Sequence, residues 1–363
     1  MKLLFVSHQP FMPQLFGGLQ VSTHDLCCEL MQAGHEPAVL AGLLRGKSPY
    51  LRNRIIGKLG GISCPWDTYR GVRVARGWDV PAGLAEALRS FSPDALIFQG
   101  AAIRDFELAS ATAMGGYPVY FYAHDVSQVL AGASFPDLAD VHWIFNSSFS
   151  ERTFRERLGV TGPVIPPCMN LASYKTDSSR MAVTMVNPRP SKGGHIVLDL
   201  AESCPDIPFI LVEAWVGADR EVGALKERAH SLRNVTWLPS QANMIDVYRR
   251  TRIILMPSLC QETWGRMITE AQVSGIPALV SSAGALPDTT GTGGLVVPID
   301  APSDSWVNAL RAMWDDTARY DKLAESARAM AARGDLAPGE AARKLLAWIQ
   351  KNGMNPFRGG PIS

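Results

Sequence analysis

The sequence predicts an α/β protein built from two doubly wound, parallel-sheet domains that face each other across a cleft. Three observations carry this expectation. The chain has 363 residues, more than a single core of about 150 residues accommodates. Short apolar, β-rich runs alternate with helical stretches almost from end to end, as in a parallel sheet covered on both faces. A Pro, Ser and Gly-rich break at residues 160–180 interrupts that alternation, which then restarts.

In the first half the strands are expected at 3–6, 37–40, 72–75, 95–98, 119–122 and 143–145, with helices at 20–33, 81–91, 105–113 and 149–158. The second half gives strands at 182–186, 209–212, 235–238, 253–256, 278–280 and 295–297, with helices near 196–203, 223–232, 244–250 and 267–274. After Pro302 the chain reads as helical, and the tail from Lys351 as loose. The domains are therefore expected at 1–165 and 166–335, with a C-terminal helix in 336–363 crossing back to the first. Ligands in such sheets bind beyond the carboxyl ends of the strands.

Composition narrows the function. Lys plus Arg number 35 against 34 Asp plus Glu, a net charge of +1, whereas wholesale nucleic-acid binding needs a basic excess. None of the six cysteines forms a Cys-x-x-Cys pair, so a reducing, cytoplasmic setting is expected instead of a disulfide framework or zinc site. The N-terminal apolar run breaks at His8-Gln9-Pro10 without a small-residue cleavage site and reads as a buried strand. There is no Asp-x-Asp pair to clamp Mg²⁺. The first strand is not followed by Gly-x-Gly-x-x-Gly, which disfavours a dinucleotide oxidoreductase.

The stretch "LMPSLCQETWGRMITEAQVSGIPALVSS", residues 255–282, carries two acids eight apart, Glu262 and Glu270. A buried strand is expected to end at Pro257-Ser258, with a helix starting near Trp264-Gly265-Arg266. Free amides at that helix start suit phosphate oxygens, Gly265 admits an anion close to the backbone, and Arg266 adds charge. Glu262 on the loop is within reach of a cleft, and Glu270 is placed to accept from a vicinal diol. Read by themselves, both acids also fit solvated helix-start positions.

This stretch, as "ETWGRMITEAQVSGIPALVSSAGALPD", resembles the signature of the retaining family 4 glycosyltransferases, which have the GT-B fold of two Rossmann-like domains. Other pieces fall in the order of that family: "QLFGGLQVSTHDLCCELMQAGHEPAVL", "VYFYAHD", "WIFNSSFSERTFRERLGV", "VIPPCMN" and "MVNPRPSKGGHIVLDLAE". Together they cover essentially residues 1–335.

The resemblance implies roles position by position. Glu270 holds the ribose of a nucleotide-sugar donor, and Glu262 holds hydroxyls of the transferred sugar. Backbone amides around Trp264–Arg266, with Lys192, bind the diphosphate, and Gly17-Gly18 approach it or the acceptor from the other domain. His124 lies over the sugar near its reacting carbon, and the base lies near Leu238–Ser240. Asn187 stands where the family often has Gly-Arg; Arg189 is displaced by two, which leaves Arg189, Arg266 or neither to replace the usual phosphate arginine. The implied activity is metal-independent, retaining hexosyl transfer, from a UDP-sugar above other nucleotide sugars, to a glycan, lipid-linked or small-molecule hydroxyl. A nucleotide-sugar 2-epimerase and a non-catalytic sugar-nucleotide-binding protein are the rival readings.

One segment stands outside this scheme. From Arg45 to Arg76 there are eight basic residues against Asp67 alone. Leu51, Ile55, Ile56 and Leu59 are spaced to share a helical face. The segment reads either as a solvated face or as contact with an anionic acceptor or the inner face of a membrane.

Overall fold

The computed structural model of the protein describes residues 1–46, 48–214, 220–241 and 243–353. Lys47 of the basic segment and the end of the tail from residue 354 lie outside the described residues. The chain divides into two compact units, Met1–Met169 with Ala337–Ser363, and Asn170–Leu336.

The strands of the first unit are β1 (Lys2–Pro10), β2 (Glu36–Gly42), β3 (Trp66–Tyr69), β4 (Val72–Gly77), β5 (Ala95–Phe98), β6 (Val119–Ala123) and β7 (Val141–Phe145), in the order β3-β4-β2-β1-β5-β6-β7. Its helices are α1 (Gly18–Gln32), α2 (Tyr50–Gly60), α3 (Val80–Phe91), α4 (Ile103–Met114), α5 (Ser127–Leu130) and α6 (Ser148–Leu158). The second unit orders β8 (Ala182–Val186), β9 (Phe209–Val212), β10 (Val235–Leu238), β11 (Thr251–Met256), β12 (Ala278–Ser281) and β13 (Gly294–Val297) as β10-β9-β8-β11-β12-β13. Its helices are α7 (Gly194–Ser203), α8 (Arg220–Ser231), α9 (Ile245–Tyr248), α10 (Arg266–Gln272), α11 (Leu286–Thr290), α12 (Ser303–Trp314) and α13 (Thr317–Ala331).

Double-sided burial explains why the strands read as unbroken apolar runs. In β1, Leu4 and Val6 enter one core while Leu3 and Phe5 enter another on the opposite face. In β11, Ile253 and Leu255 face one core, and Ile254 and Met256 a second. Alternating side chains point to opposite faces, so a strand between two helix layers has no face left for polar residues.

Strand order reverses once in each sheet, between β1 and β5 and between β8 and β11. Connections leave the sheet in opposite directions at such a point, opening a crevice at the carboxyl ends of the strands.

Three features depart from the sequence reading. The first sheet is not wholly parallel, because β3 pairs antiparallel with β4. Arg70 and Gly71 turn that hairpin with φ of 47° and 87°; two successive left-handed residues match the twist of paired strands. The Pro, Ser and Gly-rich break does not stand apart from the cores. Val164 bridges to Phe145, the Tyr122 hydroxyl donates to the Ile165 carbonyl at 2.6 Å, and Ile165 and Cys168 are buried in the first unit. From Asn170 onward the chain belongs to the second unit, where the Thr176 amide donates to Ser274 Oγ at 2.9 Å. Finally, Lys351 and Asn352, read as the start of a loose tail, are the last residues of a helix.

The last helix, α14 (Glu340–Asn352), packs on the first unit. Leu345 and Ile349 enter the core shared by Leu26 and Leu30 of α1. Gly339 N donates to Glu29 Oε1 at 2.8 Å, and the Tyr120 hydroxyl donates to the Ile349 carbonyl at 3.2 Å.

Candidate active site

The second unit gathers Lys192 and Glu262 at its strand-order reversal, on the loops that follow β8 and β11. Gly193 brings the first loop in. Its φ of +78° is left-handed, and a Cβ there would sit 2.1 Å from the Pro257 carbonyl oxygen, so only glycine permits this approach. The Ser191 carbonyl accepts from the amides of Leu259 and Cys260, both at 3.0 Å, pinning one loop on the other. Gly284 closes the second loop from behind: its φ is +60°, and a Cβ would meet the Glu262 carbonyl oxygen at 2.2 Å. The Ala285 amide donates to that same oxygen at 2.7 Å.

So held, Lys192 Nζ donates to Glu262 Oε1 at 2.6 Å, and Ser258 Oγ donates to the same oxygen at 2.7 Å. Burial alone pulls the Lys192 pKa down, but Glu262 and then Cys260 beside it leave it raised. The ammonium thus stays charged, ready for an anion. Ser258 and Cys260 carried no sequence signal of their own, because their proximity comes from loop contact, not spacing.

A second cluster surrounds Glu270. Gly265, with φ +86°, caps the start of α10. Arg266 Nε donates to Glu270 Oε1 at 2.6 Å, the Tyr248 hydroxyl donates to Glu270 Oε2 at 2.7 Å, and Arg266 also donates to the Tyr174 hydroxyl at 3.3 Å. Glu270 is 5% exposed, with both oxygens engaged. Burial first, and then Glu270, push the Tyr248 hydroxyl pKa well up, so it remains a donor. Trp264 is buried with its indole donating to Thr269 Oγ1 at 3.1 Å, so only its backbone faces the loop. Tyr174 and Tyr248 come from distant turns of the chain, and no local pattern marks them.

Asn187 ends β8 in a left-handed conformation, φ 62°, with its amide donating to the Val212 carbonyl at 2.8 Å and its carbonyl accepting from the Arg189 amide at 2.7 Å. The residue thus serves as a sharp turn, a conformation Asn tolerates better than most side chains. Leu238 ends β10 at the sheet edge, half-buried against the cluster of Val186, Ile210, Val212 and Val247.

The first unit places His124 at the end of β6, its Nε2 3.4 Å from Gln99 Nε2 and its ring 4.0 Å from that of Tyr122. Gln99 Oε1 accepts from Thr23 Oγ1 at 2.7 Å. With the Gln99 amide donating, His124 Nε2 is an acceptor and the ring neutral. Burial lowers its pKa to about 3. Gly17 caps α1, and Gly18 opens it with clear space where a side chain would stand. In the same unit, His8 Nδ1 lies 2.8 Å from Asp105 Oδ1. Among the described residues no group of three or more His, Cys, Asp or Glu is placed to hold a metal.

The fold has close counterparts among solved structures. Sucrose-phosphate synthase from Thermosynechococcus elongatus aligns with a TM-score of 0.74 at 15% identity, over 97% of this chain and 98% of that one. The chain has the GT-B fold. HepE of Anabaena, crystallised with UDP-glucose, shares this GT-B fold with a TM-score of 0.72 at 20% identity, over 96% and 100% of the two chains. Residues 200–316 match the family described as glycosyl transferases group 1. That segment covers most of the second GT-B unit, with Glu262 and Glu270. In sequence, D-inositol 3-phosphate glycosyltransferase of Corynebacterium kroppenstedtii is 38% identical over 93 residues, which are 25% of this chain and 20% of that enzyme. The match therefore spans about a fifth of that relative's length.

Proposed function

We propose that the protein is a metal-independent, retaining glycosyltransferase that moves a hexose from a nucleotide-diphosphate sugar, a UDP-sugar by preference, to a hydroxyl of a glycan, glycolipid or small natural product. The observation that carries the proposal is the charged Lys192 held 2.6 Å from Glu262 on two loops at the carboxyl edge of the second sheet. A cation and a carboxylate side by side suit a diphosphate joined to a polyhydroxylated ring. The family match across Glu262 and Glu270 and the UDP-glucose named for HepE support the same reading.

In this reading the bond from the anomeric carbon to the diphosphate oxygen breaks, and its electron pair stays on that oxygen. Lys192 and the backbone amides around Trp264–Arg266 stabilise the charge that develops, the kind of preorganised electrostatics that contributes several kcal/mol. The acceptor oxygen bonds to the carbon on the same face and passes its proton to the departing diphosphate oxygen. Glu262 holds sugar hydroxyls. His124, neutral, offers an uncharged hydrogen-bonding ring to the sugar. Gly17-Gly18 admit the diphosphate or the acceptor close to the backbone.

Glu270 takes the ribose hydroxyls by exchanging its contact with Tyr248 or Arg266. The two candidate phosphate arginines are Arg189 and Arg266, the latter bonded to Glu270 and Tyr174. The enzyme acts in the cytoplasm, with peripheral contact at the inner face of the membrane where the acceptor is lipid-linked.

The test is transfer from UDP-sugars, GDP-sugars and ADP-sugars, with product stereochemistry read by NMR. Retention of anomeric configuration, and loss of transfer in Glu262→Ala and Lys192→Ala, are expected. Unchanged turnover in both variants overturns the site. Donor incubated alone in deuterium oxide separates the 2-epimerase, which exchanges a ring hydrogen where a transferase does not.

A further inference from the structure

The basic segment that plays no part in sugar transfer forms α2, and its geometry is unusual for a helix in water. Its only buried residue is Asn53, whose Nδ2 donates to Asp67 Oδ2 at 3.1 Å. Leu51 is 64% exposed, Ile55 50% and Leu59 85%. At about 100° per residue these three span an arc of about 80° on the side away from Asn53. Ile56, expected on the same face, lies outside that arc and is half-buried. Arg52 borders the stripe on one side, Lys58 and Arg54 on the other, and the helix carries no acid. None of these three cations has an acidic partner among the described residues. An outward apolar stripe flanked by cations is the pattern of a helix lying in a membrane interface.

The surroundings extend the surface. Trp78, exposed, meets Tyr50 edge-on at 5.6 Å, and Arg45 lies 5.9 Å over the Trp78 ring. Aromatic rings with one polar edge favour the headgroup level. On the Arg52 side a cavity of about 530 Å³ opens, lined among others by Ser48, Arg52, Thr68, Tyr69 and Arg73. Its one acid, Asp67, is already taken by the fully buried Arg76, Nε to Oδ2 at 2.9 Å, and by Asn53. Arg52 and Arg73 therefore leave the cavity cationic.

We propose that this face docks on an anionic phospholipid bilayer, with Leu51, Ile55 and Leu59 entering the interface and headgroup phosphates meeting Arg52, Arg54, Lys58 and Arg73. Charge complementarity selects a bilayer over a protein partner: the cations ring the apolar stripe, where headgroups lie around inserted side chains. The inference deepens the peripheral membrane contact of the proposed function, and its vesicle readout does not depend on sugar transfer.

Co-sedimentation of the full chain tests it, with vesicles of phosphatidylcholine alone or mixed with phosphatidylglycerol. Binding is expected only to the anionic vesicles, weakening as salt rises to ~0.5 M. The triple variants Leu51→Asn/Ile55→Asn/Leu59→Asn and Arg52→Gln/Arg54→Gln/Lys58→Gln should each lower the bound fraction at least ~tenfold. Both keep the wild-type circular dichroism, since all six side chains are exposed. A wild-type protein that stays in the supernatant, or an Asn triple that binds as well as wild type, overturns the proposal. So does release by millimolar inorganic phosphate, which marks a free-anion site, or a solution dimer abolished by the Asn triple, which makes a second copy the occupant.

Discussion

Lys192 Nζ and Glu262 Oε1 stand 2.6 Å apart although 70 residues separate them in the chain. Lys192 closes a short 3-10 turn, Pro190–Lys192, and Glu262 lies on a loop, so no common helix holds the pair. The contact exists because Gly193 and Gly284 let their backbones pass where any side chain would collide. Replacing Glu262 by Ala strands a partly buried ammonium, and replacing Lys192 by Met strands a carboxylate. Each should lower hexose transfer by at least ~100-fold, as losses of such electrostatic groups do, while circular dichroism and gel filtration stay unchanged.

The same geometry makes the glycines separable from ordinary ones. Gly284→Ala puts a methyl 2.2 Å from the Glu262 carbonyl oxygen at φ +60° and should cost more than about 2 kcal/mol in urea unfolding. Gly223→Ala, inside α8 with no atom of the described residues within 4 Å of the new carbon, should stabilise by about 0.5–1 kcal/mol.

Tyr248 supports Glu270 without any expected contact with sugar. Tyr248→Phe leaves Glu270 Oε2 buried and short of its donor, a loss of about 1–3 kcal/mol. A thermal melt should register this, and ligand should offset it. If Glu270 takes ribose hydroxyls, UDP will restore more of the melting temperature in Tyr248→Phe than in Glu270→Ala.

His124 sets a pH dependence. Its folded pKa, about 3, lies below the ordinary 6.5 because of burial. Below pH 6.5 the unfolded chain takes a proton that the native ring refuses, so stability should fall as pH drops from about 6.5 toward 3. His124→Gln should flatten that slope in chemical unfolding. The native ring resonance should stay at its neutral shift down to about pH 5.

No step of the proposed chemistry passes through a metal ion: Lys192, an arginine and backbone amides meet the developing charge. Transfer should therefore be the same with EDTA as with added Mg²⁺; a strict metal requirement contradicts it.

Much of the architecture was legible in the residues. The apolar runs at 3–6, 95–98, 253–256 and 278–280 are strands because a sheet covered on both faces tolerates nothing polar. The start of α10 at Arg266 followed from Gly265. The hairpin edge at β3 was not legible, since Arg70-Gly71 lacks the usual Asn-Gly signal. The Pro-rich segment from 160 reads as a linker, yet Ile165 and Cys168 find a core in a sheet that no local pattern reveals.

By itself, then, the sequence determined the doubled α/β alternation and the loop residues that carry charge. Those properties are local: periodicity, turn chemistry and hydropathy act over a few residues. Only the tertiary structure decided that Lys192 bonds Glu262, that Tyr248 joins Arg266 on Glu270, and that Leu51, Ile55 and Leu59 face water. Contacts between segments 22 to 70 residues apart depend on how loops pack over strand ends, and that packing is set by the whole chain.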